Sequence, residues 1–220
     1  KRGKMIIFIP IKEKSQRVPN KNFRLVEGIP LYKRCLYKFK NINVFVDTDS
    51  VEIINSINTD NRLRHVTPYF RNEELHGHEI SVCDIIKSFL IKFNISNEII
   101  CQTHVTSPFL NFKTLISASE KMCNHDSVVS CNNYQNRLWR EESYGYCPIN
   151  HNPLKLEQTQ DLPKYYEENS LFYIFNSDQF LKTNCRVGSN PYFFVNNYPE
   201  NIDIDTEDDW ELVKLLTKEA

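Results

Sequence analysis

No run of eighteen apolar residues occurs in this 220-residue chain. A helix needs about that length to cross a bilayer, so a transmembrane helix is excluded. The apolar stretch near the start, Met5–Pro10 (MIIFIP), is short and no small-residue cleavage site follows it. It reads as a buried strand and not as a secretory signal. The seven cysteines, at 35, 83, 101, 123, 131, 147 and 185, are odd in number and contain no CxxC pair. A disulfide framework or a zinc ribbon needs paired spacing, so the pattern predicts free thiols in a reducing, cytoplasmic compartment. Neither sign of charge is in excess: 27 Lys and Arg against 28 Asp and Glu leave a net charge of −1. That excludes broad attraction to nucleic acid or to an anionic membrane surface and leaves room for a local basic site. Glycine is scarce, at 5 residues, and GxxxxGK[ST] is absent, which excludes a P-loop. There is no repeat and no low-complexity linker. The first residue is Lys1 and not Met, which predicts that a few native residues precede it.

What is present is ordinary globular composition, 40% hydrophobic and 25% charged, at a length that predicts a single domain over 1–220. Apolar runs alternate with helical spacing. Strands are predicted at Met5–Pro10, Asn43–Asp47, His65–Phe70, Glu98–Val105 and Ser127–Ser130, and helices at Pro30–Phe39, Ser50–Asn58, Glu79–Phe93 and Phe112–Met122. In Glu79–Phe93, for example, Ile80, Ile85, Ile86, Phe89 and Leu90 recur at the spacing of one helix face. This βαβα rhythm, with near-continuous apolar strands, predicts a parallel sheet covered by helices on both faces. Residues 133–163 are polar, aromatic and irregular, a length of loop that usually serves binding. Ser170–Phe175 and Asn201–Asp205 read as further strands. Thr206–Leu216 reads as a closing helix capped by Thr206, with Glu207, Asp208 and Asp209 in its first turn.

Ligands of open parallel sheets bind at the carboxyl ends of the strands, and four polar segments fall near such ends. The loop after the first strand carries Lys12, Lys14, Arg17 and Lys21 with Ser15 and Asn22. Several cations among short donors suit a polyphosphate, although a merely solvated basic loop has the same composition. Asp203-Ile204-Asp205 places two carboxylates on one face of an extended chain, able to share a hard cation such as Mg²⁺ with phosphate oxygens. The bland reading is a pair of acids leading into a helix cap. His104-Val105-Thr106-Ser107-Pro108 ends a strand at a proline and offers His104 to a substrate or to a backbone partner. Gln160-Asp161-Leu162-Pro163 leads to Glu168, Asn169 and Tyr173, and Arg71 follows the His65–Phe70 strand.

Taken in order, these segments resemble the cytidylyltransferases that activate sialic acids, the CMP-N-acetylneuraminate synthetase family. That family opens on Ile-Pro-Ala-Arg-Gly-Gly-Ser-Lys-Gly-Ile-Pro-x-Lys-Asn. The chain reads Ile9-Pro10-Ile11-Lys12-Glu13-Lys14-Ser15-Gln16-Arg17-Val18-Pro19-Asn20-Lys21-Asn22. Glu27-Gly28-Ile29-Pro30-Leu31 resembles its helix entry, and Val46-Asp47-Thr48-Asp49-Ser50 its Ser-Thr-Asp-Ser turn. Arg71, Glu74, Leu75 and Ser81 match its Arg-Pro-x-x-Leu…Ser stretch. Thr106-Ser107-Pro108, Gln160-Asp161-Leu162-Pro163 with Glu168-Asn169, and Ile202-Asp203-Ile204-Asp205-Thr206 match its later motifs. Each is modest alone, and the ordered set spans nearly the whole chain.

The resemblance implies a three-layer α/β fold, the Rossmann-like fold of nucleotide-diphospho-sugar transferases, with a mostly parallel sheet. Residues 133–200 would include a small sugar-binding and dimerisation extension. It implies transfer of CMP from CTP to the anomeric hydroxyl of a sialic-acid-like nonulosonic acid by a homodimer. Lys12, Ser15 and Lys21 would bind the CTP phosphates, Lys21 also stabilising charge on the α-phosphate. Asn22, Arg71 and Ser81 would hold the cytidine, Asp203 and Asp205 would bind Mg²⁺, and His104, Asn169 and Tyr173 would contact the sugar. The chain departs from the pattern at Lys12, usually Arg, and at Glu13-Lys14, usually Gly-Gly. It departs again at His104, usually Gln, at Thr159, usually Arg, and at Ser170, usually Gly. Most of these fall on the sugar side and leave the acceptor open among sialic, Kdo, KDN, legionaminic and pseudaminic acids. Two further alternatives are an A-type glycosyltransferase using Asp203-Ile204-Asp205 as its metal motif, and a non-catalytic homologue that binds nucleotide only.

Overall fold

Alternation along the first strand sets the layers. In β1 (Met5–Ile11), Ile7, Ile9 and Ile11 join one buried cluster while Ile6 and Phe8 join another. Successive strand side chains point to opposite faces, so a strand apolar throughout is one covered on both. The structure, a computed structural model, describes residues 5–15, 17–77 and 79–218; Gln16 of the basic loop and residues 1–4 lie outside the described residues.

After β1 come the short pair β2 (Leu25–Val26) and β3 (Ile29–Pro30), α1 (Leu31–Leu36), β4 (Asn43–Thr48), α2 (Val51–Asn58), β5 (Val66–Phe70), α3 (Val82–Lys92) and β6 (Ile99–Thr103). Then follow α4 (Phe112–Ser119), β7 (Ser127–Tyr134), the hairpin β8 (Trp139–Glu142) and β9 (Gly145–Pro148), β10 (Tyr165–Asn176), α5 (Ser177–Thr183), β11 (Pro191–Val195) and α6 (Glu207–Lys218). The central sheet has seven strands in the order β11-β7-β10-β6-β1-β4-β5. All are parallel except β10, which runs against both β6 and β7. One face is covered through Tyr32, Cys35 and Leu36 of α1, Ile53 and Ile57 of α2 and Leu115 of α4. The other is covered through Ile85, Ile86, Phe89 and Leu90 of α3 and Phe180 of α5. Phe8 stacks on Phe89 at 4.4 Å between centroids, which fixes α3 against the middle of the sheet. The fold class is therefore the expected three-layer, mostly parallel α/β arrangement.

Two expectations are corrected. Asn201–Asp205 joins no sheet ladder. It crosses over the ends of the strands, bonded to the end of β6 by Ile204 N–H to Thr106 O at 3.0 Å and held by packing of its two isoleucines. Residues 133–163 are not wholly irregular, since they extend β7 to Tyr134 and contain the β8–β9 hairpin. Their aromatics, among them Trp139 and Tyr146, are exposed and mixed with charged residues, so no buried apolar alternation marks them. The short pair β2–β3, α5 and β11 went unpredicted. Asn176 caps α5 by accepting from Asp178 N and Gln179 N at 2.9 and 3.2 Å. β11 is an edge strand that begins at Pro191, where a missing N–H costs no ladder bond. All seven cysteines are unbridged. Among the described residues no helix is long and apolar enough to cross a membrane.

Candidate active site

A small third cluster of Val18, Val26, Leu31, Ile202, Ile204, Trp210 and Val213 joins the two ends of the chain. Val18 comes from the loop after β1 and Trp210 and Val213 from α6. In the extended crossing segment Ile202 and Ile204 turn into this cluster, so the alternating Asp203 and Asp205 turn the other way. Burial of the isoleucines is thus what aims the carboxylates. Ile204 is fully buried, and Ile204→Ala is expected to lower unfolding free energy by about 2–5 kcal/mol through the cavity it leaves. Urea denaturation checks this; a loss below about 1 kcal/mol would mean that something else holds the segment.

Lys21 meets the crossing segment from the other side. It sits 7% exposed in a short 3₁₀ turn, Lys21–Phe23, after a left-handed Asn20 with φ 54°. Its Nζ donates to the Ile204 carbonyl and lies 3.8 Å from Asp205 Oδ1. Arg17 Nη1 lies 2.9 Å from Asp205 Oδ2, and Ser107 Oγ donates to Asp203 Oδ1 at 3.3 Å. Asp209 accepts from Asp205 N at 3.0 Å and from Thr206 N at 2.8 Å, while Asp209 N donates back to Thr206 Oγ1 at 3.2 Å. This reciprocal cap starts α6 and clamps the backbone that carries Asp205.

A cavity of about 420 Å³ opens between the two segments, lined by Lys12, Ser15, Arg17, Lys21 and Asn22 on one side and by Asp203 and Asp205 on the other, with His104 and Thr106 from the end of β6. Asn22 Nδ2 donates to Lys12 O at 2.7 Å and Glu13 N to Asp49 Oδ1 at 2.6 Å, which tie the loop to itself and to the end of β4. A second cavity of about 460 Å³ shares Ser170, Asp203 and Asp205 and adds Asn169 and Glu168, so the aspartates stand on the wall between the two.

Arg71, Ser81 and Tyr173 do not line the first cavity. Arg71 is 1% exposed; its Nε pairs with Asp47, and its two terminal nitrogens have no hydrogen-bond partner among the described residues. Ser81 caps α3, accepting from Cys83 N at 3.2 Å. Lys12 Nζ reaches across to Gly77 O at 3.0 Å and so holds the 71–77 segment beside the loop. Tyr173 is buried and donates to Glu168 Oε2 at 2.7 Å, while the Arg186 guanidinium lies on its ring at 3.8 Å. Asn169 lies in the second cavity, donating to Asn132 Oδ1 at 3.2 Å. Gln160 and Asp161 sit in a 3₁₀ turn beside a different cavity, one with Arg137.

Burial pushes the Lys21 ammonium below its ordinary value, against the pull of Asp203 and Asp205. Burial pushes the Asp203 carboxyl up, repulsion from Asp205 adds to it, and hydrogen bonds from Thr106 and Ser107 oppose it. Burial, with Arg186 and Lys21 nearby, pulls His104 down to about 4, so its imidazole is neutral at pH 7. Among the described residues no cluster of three or more His, Cys, Asp or Glu forms a closed metal cage. Two hard carboxylates, one strained by burial and repulsion and both open to a cavity, fit a cation that takes its remaining oxygens from a phosphate ligand and water. The donor set therefore suits Mg²⁺.

The sequence reading missed the roles of Asp209, Gln102 and Arg186. Thr206-x-x-Asp209 is a capping-box pattern and was open to view. A glutamine inside a buried strand was a weaker sign, and its bond to Arg186 spans 84 residues.

A mostly parallel three-layer sheet, with a lysine-bearing loop facing two aspartates across a cavity at the carboxyl ends of its strands, defines a ligand-binding protein of the Rossmann-like α/β class. The chain belongs to the cytidylyltransferase family, whose model matches residues 6–219. This sets aside the A-type glycosyltransferase alternative. The chain is 28% identical to N-acylneuraminate cytidylyltransferase A of Danio rerio, over 91% of its own length and 47% of that protein. It is 28% identical to CMP-N,N'-diacetyllegionaminic acid synthase of Legionella pneumophila, over 97% of its length and 96% of that protein. The chain spans about half the length of the N-acylneuraminate cytidylyltransferases it matches. A solved CMP:2-keto-3-deoxy-manno-octonic acid synthetase complexed with CTP superposes with a TM-score of 0.67, covering 99% of both chains at 14% identity.

Proposed function

We propose that the chain transfers CMP from CTP to the anomeric hydroxyl of a sialic-acid-like nonulosonic acid, releasing pyrophosphate. The carrying observation is the single cavity in which Lys12, Ser15 and Lys21 face Asp203 and Asp205. The acceptor oxygen attacks the α-phosphorus in line, the bond to the pyrophosphate oxygen breaks, and the hydroxyl proton is lost. The chain contributes chiefly position and electrostatics, as in phosphoryl transfer generally. Lys12 and Ser15 hold the outer phosphates. The buried Lys21 stands where charge builds on the α-phosphate, and a cation with little water around it acts strongly there. Asn22 holds the cytidine from inside the same cavity, with Arg71 and Ser81 ordering the neighbouring segment. Asp203 and Asp205 would hold Mg²⁺, which when bound would neutralise phosphate charge and make the acceptor hydroxyl more acidic. The second cavity, with Asn169, receives the sugar acid, and His104 meets it from the wall.

Relatives named for legionaminic and pseudaminic acids match 97% and 98% of the chain, which supports including both acids among the first acceptors to test. The exposed aromatics and aliphatics of 133–166, among them Trp139, Tyr144, Tyr146, Leu154 and Leu156, suit the homodimer face of such an enzyme, and the unbridged cysteines suit a cytoplasmic setting. The test is pyrophosphate release from CTP and Mg²⁺ across a panel of N-acetylneuraminic, legionaminic, pseudaminic, KDN and Kdo acids. At least one nonulosonic acid is expected to turn over. Tight CTP binding with no turnover on any of them would make the chain a nucleotide-binding homologue instead.

A further inference from the structure

Behind the cavity wall, Gln102 and Arg186 form a polar chain to which the transfer chemistry above gives no part. Arg186, in the segment after α5, donates from Nη1 to Gln102 Oε1 at 2.5 Å. The other end of that amide, Nε2, lies 2.8 Å from His104 Nε2. The guanidinium rests on the Tyr173 ring, whose hydroxyl is held by Glu168. Gln102 is fully buried, and a buried amide needs its bonds satisfied.

A guanidinium has hydrogens to donate and no acceptor. The Gln102 oxygen must therefore face Arg186, and the NH₂ end must face His104. That end also has only hydrogens to give, so His104 Nε2 must be the acceptor. A neutral imidazole carries one proton, which then sits on Nδ1. The geometry points to Gln102 and Arg186 as positioning residues that lock His104 in its neutral Nδ1–H tautomer, so that the cavity wall offers a hydrogen-bond donor. An imidazolium has no acceptor nitrogen, so the Gln102 contact opposes protonation. Arg186 and Lys21 oppose it too, with Asp205 acting the other way. The tautomer belongs to the free protein. Its use, donation to a hydroxyl or carboxylate oxygen of the acceptor, rests on the CMP-transfer reading.

The tautomer is read from the ring ¹⁵N shifts of the full chain at pH 7.5 without nucleotide, the His104 signals being assigned by their loss in His104→Gln. Wild type is expected to show a protonated Nδ1 and a bare Nε2. Gln102→Glu replaces the donating end by an acceptor and is expected to move the proton to Nε2. Arg186→Lys keeps a donor for Gln102 and is expected to retain Nδ1–H. Arg186→Met frees the amide to rotate and is expected to give a mixture. With CTP and the accepted sugar acid, Gln102→Glu is expected to raise the sugar KM about tenfold while the CTP KM stays within about twofold, because a buried donor has been exchanged for an acceptor. A wild-type proton on Nε2, or Nδ1–H retained in Gln102→Glu, overturns the assignment. A switched tautomer with an unmoved sugar KM removes His104 from the acceptor contact. The NMR measurements need no turnover, so they decide the tautomer even if the transfer reading fails.

Discussion

Lys21→Met is expected to cut CTP-dependent pyrophosphate release by about 10²–10³-fold, the usual cost of removing one preorganised group at the charge that develops in a transition state. Methionine keeps the length and the apolar body of the side chain, which is 7% exposed. What it loses is the ammonium, held by the Ile204 carbonyl and 3.8 Å from Asp205. Burial already works against that charge, so folding gains little from it, and the unfolding free energy of the variant is expected to stay within about 1–2 kcal/mol of wild type. Activity and stability should therefore part company. The loss is expected in kcat more than in the KM for CTP, because a contact that tightens as the α-phosphate gains charge lowers the barrier without tightening the ground state. Lys12→Met, on the more open side of the loop, should do the reverse and act mainly on KM. Lys21→Arg should not rescue, since a planar guanidinium does not fit where a compact ammonium is enclosed. Turnover within threefold of wild type in Lys21→Met would remove this lysine from the chemistry and leave it as a strut between the two chain ends.

The parts of the fold that were legible in the sequence were those whose signal is local. Strands buried on both faces, such as Ile6–Ile9 and Val44–Val46, show themselves as apolar runs, and α3 shows itself by the spacing of Ile85, Ile86, Phe89 and Leu90. Asp203 and Asp205 were legible as a pair because alternation sends both to one side, although the segment that carries them is no strand. The third cluster aims them by burying Ile202 and Ile204 against Val18 and Trp210, a contact between distant parts of the chain. The same limit hid Arg186. Nothing around residue 186 signals that its guanidinium satisfies a glutamine in β6 and lies on a tyrosine of β10. The ordered motifs carried Lys12, Ser15, Lys21 and Asn22 into one cavity. They could not foretell that Arg71 would be sealed against Asp47, because burial is a property of the packed sheet edge.

The aspartate pair gives the second large expectation, and here stability should rise as activity falls. Burial and repulsion from Asp205 hold the Asp203 carboxyl above its ordinary range. A carboxyl whose folded-state pKa is raised destabilises the folded protein above its unfolded value, because the unfolded chain ionises more freely. In metal-free buffer at pH 7, Asp203→Asn removes that cost and keeps an oxygen to accept from Ser107. It is expected to raise unfolding free energy by about 0.5–1 kcal/mol, the gain typical when a functional strain is released. The same change should lower turnover by about 10²–10³-fold, since several kcal/mol of charge stabilisation on the phosphates go with the ligand. Asp205→Asn should lose activity to a similar degree without the gain in stability, because its carboxylate pairs with Lys21 and Arg17. If both hold one ion, the double variant should be little worse than either single one, as groups acting as a unit are not additive. Removal of divalent cations by EDTA should silence the wild type and change the double variant hardly at all. The calorimetric melting temperature in EDTA against Mg²⁺ with CTP gives a readout apart from turnover: it should rise with the metal in the wild type and stay flat in the double variant. An equal rise in both would move the ion away from these aspartates.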